Sequence, residues 1–385
     1  MIFLTNIGWK CINDSGWTNL YAHQANAFLQ GQLDVPVKLH DVSIHNGKYY
    51  VPFPPLPAIL LMPFVALFGV VKTKVILVAL LLTLLNTWTF SRILTRLEVD
   101  QESILWLMLA FLLGTGYWLA VRSSESVWYF AHIVAITFML LAIHEAFGNG
   151  RGIIAGMFLG CAFLSRQLSI YTSLFILSAL MINPYNISKR AKARQIIGFV
   201  LSLFLCIAIY AAFNWARYGS LFDTGYSYLN LGGFLKSRFE RFGLFHPAYF
   251  AFNFVYMFFQ GPHIDFSGLK PIGMSPFGTS LLFASPFVLF AFRAKWARVL
   301  ILTSWCSIGV ILLHLLFYYN NGWVQRNTQR FTLDFLPVLI LLVAMSVRQV
   351  NMNIFRIAIA YSVFLNVIAL IALPIVNTLV PLFAH

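Results

Sequence analysis

Apolar runs separated by short polar links make up most of the chain after residue 55. A helix that crosses the ~30 Å hydrocarbon core of a bilayer needs about 20 apolar residues, and its backbone groups must be hydrogen-bonded within the segment. The pattern therefore predicts an all-α, polytopic membrane protein with about ten transmembrane helices. We expect these helices at about residues 75–95, 104–121, 127–147, 153–165, 168–182, 196–216, 279–294, 297–318, 331–347 and 354–377.

The first 74 residues follow a different pattern, polar and aromatic, without a spanning run. The spacing over Leu20–Leu33 predicts a helix along the membrane surface. Leu56–Val71 is apolar, but at helical rise it extends only about 24 Å, which is short of the hydrocarbon core. This segment is either a short span or a juxtamembrane helix in the interface.

A β-hairpin is predicted between these two segments. Asn46-Gly47 is a strong hairpin signal, because a type I′ turn needs a positive φ at both central residues. The flanking strands would be Asp41–His45 and Lys48–Val51, and the prolines that follow end the second strand because proline cannot donate to a ladder. The turn sets the register and predicts two opposed pairs, Ser43 with Tyr50 and His45 with Lys48.

The basic links decide where Leu56–Val71 lies. If it is interfacial, the dense run Lys189–Arg194 falls on the cytoplasmic side, as the positive-inside rule requires. We therefore predict an outer loop over residues 1–74, with juxtamembrane helices and the hairpin. A membrane domain over residues 75–385 follows, with a long outer loop over residues 217–277. Most of the polar, ionisable and aromatic side chains outside the spans then lie on the outer side.

Composition agrees with a membrane protein. Only 10% of the residues are charged and 60% are hydrophobic, whereas a soluble domain carries about 25% charged residues. The net charge of +14 reflects either cytoplasmic links or an added basic surface for an anionic ligand or lipid head groups. The basic residues are scattered among the loops, which argues against nucleic acid as a partner. The four cysteines show no metal-ligand spacing.

Carboxylates on the predicted outer side are candidates for general-base chemistry, since a carboxylate can take a proton from an attacking hydroxyl. Asp14 and Asp41 lie in the first loop, and Glu125 and Asp223 lie in later outer segments. Asp334 lies about one turn inside an apolar helix. It is either a functional group or the partner of Arg330, four residues earlier.

Cations near the outer side are candidates for holding phosphate, because the planar fork of arginine bonds two oxygens. For each one the alternative is an interfacial anchor or an ion-pair partner. The candidates are Lys48, Arg122, Arg217, Arg326 and Arg330. Side chains expected to line a substrate cavity are His45, Tyr49, Tyr50, Glu125, His132, Asp223 and Gln325. The alternative for the aromatic rings is the aromatic belt of the interface.

The chain resembles the GT-C class of integral-membrane glycosyltransferases. The similar branch, that of glycosyltransferase family 39, contains the protein O-mannosyltransferases and the bacterial aminoarabinose transferases of lipid A. The resemblance covers most of the chain. The matching pieces are Tyr21–Gly31, Gly47–Tyr50 with Pro54-Pro55, Leu67–Gly69, Asn214–Gly219, and Arg330 with Asp334 and Pro337.

The resemblance implies an inverting transfer of a sugar from a polyprenyl-phosphate donor to a lipid, glycan or protein acceptor. The implied location is the outer face of a bacterial inner membrane. In such enzymes an Asp acts as general base, and Arg or Lys groups hold the donor phosphate; a divalent cation is compatible with this chemistry.

The sequence departs from the family pattern in two ways. The first spanning helix is missing, which either a late start or a truncated copy would explain. The acid expected before the Tyr21 helix is also absent, with Thr18 and Asn19 near its place. Asp14 ranks first as replacement by its order in the loop, and Asp41 follows because the hairpin would hold it rigidly.

Two other functions compete with the glycosyltransferase. A lipid or glycolipid transporter would carry functional polar residues along a path through the membrane. A non-catalytic membrane subunit would bind a partner protein, and its basic residues would not converge on one cavity.

Overall fold

The computed structural model describes residues 8, 10–185, 188–262, 264–265, 273–274, 277–322 and 329–372. It is 73% helical, and the described part contains two small two-stranded sheets, β1–β2 and β3–β4. The strands are β1 (Ser43–His45), β2 (Lys48–Tyr50), β3 (Ile264–Asp265) and β4 (Gly273–Met274). The all-α fold predicted from the apolar pattern is confirmed.

The α-helices differ widely in length, and several of the shorter ones adjoin 3-10 segments. In chain order they are α1 (Leu20–Leu29), α2 (Leu56–Lys72), α3 (Val75–Arg96), α4 (Gln101–Leu113), α5 (Tyr117–Arg122), α6 (Val127–Phe147), α7 (Gly152–Phe163), α8 (Ser173–Ile182), α9 (Lys189–Tyr218), α10 (Gly233–Phe242), α11 (Phe250–Phe258), α12 (Leu281–Ala284), α13 (Arg298–Leu316), α14 (Leu336–Ala344) and α15 (Met352–Val367).

Within the described residues, five helices are long and apolar enough to cross a membrane: α3, α6, α9, α13 and α15 with its extension to Leu370. The prediction of an integral membrane protein with several spanning helices is therefore confirmed. The other predicted spans are shorter or interrupted. Residues 104–121 divide into α4 and α5, because Gly114 caps α4. Residues 279–294 and 331–347 each combine a 3-10 segment with a short helix, where Pro286 and Pro337 cannot donate a backbone hydrogen bond.

The chain divides into two compact units. The hairpin unit consists of residues 10–89 and 121–244, and the C-terminal unit consists of residues 1–9, 90–120 and 245–385. The β1–β2 hairpin, α1 and α2 all belong to the hairpin unit. The C-terminal unit contains α4 and helices α11 to α15.

The β1–β2 hairpin has the predicted register, with Ser43 opposite Tyr50 and His45 opposite Lys48. Asn46 and Gly47 have φ values of 49° and 74°, as a type I′ turn requires. The strands are shorter than predicted. A later segment supports them, because the Ser43 hydroxyl donates to the Gly225 carbonyl at 2.6 Å.

Helix α1 is almost entirely buried, and α2 packs on it through Ala58, Leu61 and Val65. The opposite side of α2 is exposed and apolar, with Leu67 and Ile59 at 76% and 45% exposure. One buried side and one exposed apolar side fit a helix that lies in the membrane interface, which stays a prediction.

Close contact between α7 and α9 depends on glycine. A Cβ atom on Gly152 would lie 1.8 Å from the Gln195 carbonyl oxygen, and one on Gly156 would lie 2.3 Å from the Phe199 carbonyl oxygen. A Cβ on Gly160 would lie 2.3 Å from the Cys206 sulfur. The spacing of four residues places all three glycines along one side of α7. Small residues at this spacing let helix backbones approach closely in membranes.

In the C-terminal unit, buried polar side chains satisfy the carbonyls at helix ends. The Asn253 amide donates to the Leu316 carbonyl at 3.0 Å, at the end of α13. The Asn366 amide donates to the Leu113 carbonyl at 2.9 Å, at the end of α4. These bonds replace the intrahelical partners that terminal carbonyls lack.

Candidate active site

Asp14 lies in the hairpin unit beside the first turn of α3. Its Oδ2 accepts a hydrogen bond from the Ile76 backbone N–H at 2.9 Å, so the side chain caps a helix that begins 61 residues later. The side chain is buried, and its Oδ1 has no hydrogen-bond partner among the described residues. One carboxylate oxygen is therefore structurally engaged and the other remains free to accept a proton.

Two lysines and a glutamate accompany Asp14. The Lys10 ammonium lies 2.6 Å from Glu125 Oε1, and Glu125 Oε2 is buried without a hydrogen-bond partner in the described part of the chain. The Lys74 ammonium donates to the Ile12 carbonyl at 2.7 Å and to the Asp14 carbonyl. We call Asp14, Glu125, Lys10 and Lys74 the acid cluster.

Burial and the other members of the acid cluster change the pKa of Asp14. Burial raises the pKa of Asp14 above its ordinary value, and the hydrogen bond from Ile76 opposes this rise. The negative charge of Glu125 raises the pKa further, while Lys74 and Lys10 lower it. A carboxylate with a raised pKa binds a proton more readily than an exposed one, which is the property that a general base needs.

Asn19 occupies the place where the resemblance leads us to expect an acid. It caps α1, because its Oδ1 accepts the Tyr21 N–H at 2.9 Å. Its amide nitrogen donates to the Ser124 carbonyl at 3.0 Å, next to Glu125. A carboxylate could not donate to that carbonyl, so the amide joins α1 to the segment that carries Glu125.

Several buried polar groups near α1 have no hydrogen-bond partner among the described residues. Tyr21 and Gln24 are three residues apart on α1 and therefore share one side of the helix. Ser124 lies beside the Asn19 amide. Folded proteins rarely leave buried polar groups unpaired, so such a concentration is typical of a site that binds a ligand or water. The atoms concerned are Tyr21 Oη, Gln24 Nε2 and Oε1, Ser124 Oγ, Asp14 Oδ1 and Glu125 Oε2.

Arg217 is buried at the end of α9. Its Nη1 donates to the Val51 carbonyl at 2.5 Å, its Nη2 to Asn214 Oδ1 at 2.9 Å and its Nε to the Phe213 carbonyl at 3.3 Å. Arginine has five N–H donors, so two remain. No carboxylate forms an ion pair with Arg217 in the part of the chain that the structure describes.

Tyrosines surround this guanidinium. The hydroxyls near enough to interact with its charge are those of Tyr50, Tyr210, Tyr218 and Tyr226. Tyr210 and Tyr226 also interact with Tyr21, and burial raises the pKa of Tyr21 well above its ordinary value. We define the arginine–tyrosine cluster as Arg217 with Tyr50, Tyr210, Tyr218 and Tyr226. Tyr21 is therefore near this cluster, while Asn19, at the start of the same helix, contacts the segment of Glu125.

Other predicted residues of the first loop lie at or near the hairpin. Asp41 has a φ of 60°, which is left-handed backbone. Lys48 pairs with Asp34 at 3.1 Å in an exposed position. The ring of His45 lies 4.8 Å from that of Tyr228, and Tyr49 accepts the Val35 N–H at its carbonyl at 2.8 Å. The carboxylate of Asp223 accepts bonds from the Gly225 N–H and the Tyr228 hydroxyl, both at 2.8 Å.

The remaining predicted residues are distributed more widely. Arg122 is buried at the end of α5, and His132 is buried within α6. Arg330 belongs to the C-terminal unit, where its Cζ lies 5.2 Å from the centre of the Phe331 ring. Gln325 and Arg326 lie outside the described residues. The roles assigned to all of these side chains stay predictions.

The sequence analysis did not select four polar residues of this region, Lys10, Lys74, Gln24 and Gln167. The Gln167 amide donates to the Tyr210 hydroxyl at 2.7 Å. Each is polar beside an apolar segment, but only the folded chain buries Gln24 and brings Lys10 to Glu125, Lys74 to Asp14 and Gln167 to Tyr210. Within the described residues, no group of three His, Cys, Asp or Glu side chains is arranged to hold a metal ion.

Comparison with known structures identifies the fold. The chain is similar to the crystal structure of ArnT from Cupriavidus metallidurans bound to undecaprenyl phosphate, with 14% identity and a TM-score of 0.52, over 91% of this chain and 60% of that one. The apo structure of the same ArnT gives 15% identity and a TM-score of 0.48, over 88% and 56%. The chain thus spans less than two thirds of the ArnT chains that it matches. No family model matches the sequence, and no curated protein matches it significantly. The chain therefore has a helical membrane fold similar to that of ArnT.

Proposed function

We propose that this chain is a glycosyltransferase that moves a sugar from a polyprenyl-phosphate donor to an acceptor hydroxyl, at the face of the membrane outside the cytoplasm. The observation that carries the proposal is the concentration of buried, unpaired polar groups around α1, with Asp14 Oδ1 among them. The similarity to ArnT, whose structure includes undecaprenyl phosphate, supports a polyprenyl-phosphate lipid as the ligand.

Asp14 is the proposed general base. The acceptor oxygen attacks the anomeric carbon as its proton passes to Asp14 Oδ1, and the bond between that carbon and the phosphate oxygen breaks. The electron pair of that bond leaves with the polyprenyl phosphate, and the configuration inverts. Because Oδ2 remains bonded to the Ile76 N–H, the carboxylate keeps its orientation during the transfer. General-base catalysis of this kind contributes about 10²–10⁴ in rate.

Arg217 is the proposed holder of the donor phosphate. Its two remaining N–H groups can bond two phosphate oxygens, and its charge would offset the charge that grows on the leaving phosphate. The tyrosine hydroxyls around it can donate further hydrogen bonds to the same group. Burial strengthens these interactions, because a buried charge is poorly screened by water.

Asp41 is the second candidate base. Its backbone is left-handed, with a φ of 60°, two residues before β1. Asp14 is favoured because it is more deeply buried and has a neighbouring carboxylate that raises its pKa.

The test is release of undecaprenyl phosphate from a panel of undecaprenyl-phosphate-linked sugars by the purified full chain in detergent, in the presence of lipid, glycan and protein acceptors that carry hydroxyl groups. We expect Asp14→Asn to reduce release at least about 10²-fold, with the fold unchanged. Glu240→Gln removes an exposed carboxylate of the same unit and serves as the control. Full activity in Asp14→Asn and also in the double variant with Asp41→Asn would refute the proposed base.

A transporter or a partner-binding subunit would give a different result. A transporter would bind undecaprenyl phosphate, or a glycolipid that contains it, without cleaving the sugar–phosphate bond. Binding that depends on Arg217, together with no release from any sugar of the panel, would favour a transporter. Absence of both binding and release would favour the partner-binding subunit.

A further inference from the structure

A pocket of about 240 Å³ lies in the C-terminal unit, where three links between helices meet. The links follow α3, precede α13 and follow α14. This volume is enough for a small polar head group. Its charged and polar lining consists of Glu98, Asp100, Lys295, Arg348 and Gln349.

The charges around this pocket are balanced but not paired. Two are cations, Lys295 and Arg348, and two are anions, Glu98 and Asp100, so the formal charges cancel. No ion pair joins any of these four side chains to another described residue. Arg348 instead donates its Nη2 to the backbone carbonyl of Glu98 at 2.6 Å, which leaves other N–H groups of its fork. Opposite charges held apart around one pocket fit a ligand that carries both signs.

Glu98 stands where the backbone favours glycine. It follows the last turn of α3 with a φ of 56°, and the next residue, Val99, donates its N–H to the Leu94 carbonyl at 3.1 Å. This is the left-handed position that ends many helices, and glycine adopts it with the least strain. A glutamate here contributes a carboxylate to the pocket at a conformational cost.

Asp100 is anchored differently. It caps α4, because its Oδ1 accepts the Ser103 N–H at 2.9 Å. The hydrogen bonds from Ser103 lower the pKa of Asp100, so this carboxylate stays ionised. Glu98 is therefore the anion with more freedom to contact a ligand.

The surroundings of the pocket are typical of a membrane interface. Phe292, three residues before Lys295, is 72% exposed and stacks on Trp305 with ring centres 4.7 Å apart. Leu105, on α4, is 66% exposed. Exposed aromatic and apolar side chains next to cations mark the level of lipid head groups. The topology from the sequence assigns this end of the helices to the cytoplasmic side.

We propose that this pocket binds the head group of a phospholipid that carries both a phosphate and a primary amine. Lys295 and Arg348 contact the phosphate, and Glu98 contacts the ammonium. The site is separate from the acid cluster and from the proposed sugar transfer.

The experiment measures lipid binding by native mass spectrometry and by thermal shift, on the full chain in detergent. The probes are phosphatidylethanolamine, phosphatidylcholine and phosphatidylglycerol. We expect phosphatidylethanolamine to bind about tenfold more tightly than the other two, since only it offers a phosphate together with ammonium N–H donors. Lys295→Gln and Arg348→Gln should weaken its binding about tenfold. Arg293→Gln, which changes a neighbouring cation outside the pocket lining, should leave it unchanged.

Glu98→Gly separates ligand binding from folding. Because glycine suits the left-handed backbone, this variant should be at least as stable as the parent chain without lipid, while phosphatidylethanolamine and phosphatidylcholine bind equally. Phosphatidylglycerol binding as tightly as phosphatidylethanolamine would overturn the proposal. So would unchanged binding in Lys295→Gln and Arg348→Gln, or a retained preference for the amine in Glu98→Gly. Competition by free phosphoethanolamine at equal concentration would overturn the lipid as the source of the ligand.

Discussion

Asp14 Oδ2 accepts the Ile76 backbone N–H at 2.9 Å, across 62 positions of the chain. The bond joins the first loop to the start of α3 and orients the carboxylate. The same side chain presents Oδ1 without a partner, so one residue has a structural and a proposed chemical role on its two oxygens. The two roles can be separated, because an amide can replace the carboxylate in the first and not in the second.

Asn and Ala at position 14 should therefore differ in stability. Asp14→Asn keeps an oxygen for the Ile76 N–H and removes a buried charge, whereas Asp14→Ala removes the cap and should cost about 1 kcal/mol. Thermal unfolding of the purified chain measures the difference. Equal stability of the two variants would show that the cap contributes little.

The difference in stability between the parent chain and Asp14→Asn should also depend on pH in a defined direction. Folding raises the pKa of Asp14, so its contribution to stability is full below the unfolded-state pKa of about 3.9 and is lost as pH rises through the folded-state pKa. At neutral pH, Asp14→Asn should consequently be as stable as the parent chain or more so. Unfolding measured from pH 4 to pH 8 checks this, and a parent chain whose advantage grows with pH would contradict it.

The pH dependence of activity should follow the neighbours of Asp14. A base works when it is ionised, so transfer should rise with pH through the raised pKa of Asp14. Glu125→Gln removes a negative neighbour and should move this acid limb to lower pH. Lys74→Met removes a positive neighbour and should move it to higher pH. Initial rates of sugar transfer across pH measure both shifts, with Glu240→Gln as control. Shifts in the same direction would exclude Asp14 as the titrating group.

Tyr21→Phe tests whether the unpaired hydroxyl on α1 meets a ligand. The hydroxyl is buried without a partner, so its removal should leave the free energy of unfolding unchanged or raise it by about 1 kcal/mol. Binding of undecaprenyl phosphate should weaken by about tenfold if the hydroxyl donates to the ligand. Tyr185→Phe, at an exposed position of the same unit, is the matched control. Unchanged binding in Tyr21→Phe would remove Tyr21 from the proposed site.

Gly156→Ala should loosen the contact between α7 and α9. The added Cβ would lie 2.3 Å from the Phe199 carbonyl oxygen and 2.3 Å from Ser202 Oγ, so the helices must separate at a cost of about 1–3 kcal/mol. Gly309→Ala on α13 is the control, because a Cβ there meets nothing within 4 Å. Thermal unfolding in detergent compares the two. Equal stabilities would contradict the close packing.

Local sequence was sufficient to predict the elements that depend on interactions between near neighbours in the chain. The hairpin register followed from Asn46-Gly47, because only a few turn types tolerate a positive φ at two successive residues. Helix α6 begins and ends at the predicted residues, since an uninterrupted apolar run has few alternatives in lipid. The breaks within residues 104–121, 279–294 and 331–347 were missed, although glycine and proline mark each of them.

The sequence by itself determined the class of protein, the hairpin and the candidate acids, because hydropathy and turn chemistry act between near neighbours. Only the tertiary structure decided which groups meet. It brings Lys10 to Glu125 and Asp14 to Ile76, and it directs the Arg217 fork to Val51, 166 positions away. Burial, pairing and proton affinity depend on such distant contacts. They separate Asp14 from the other acids of the first loop, which the sequence could rank only by their order and by the expected rigidity of the hairpin.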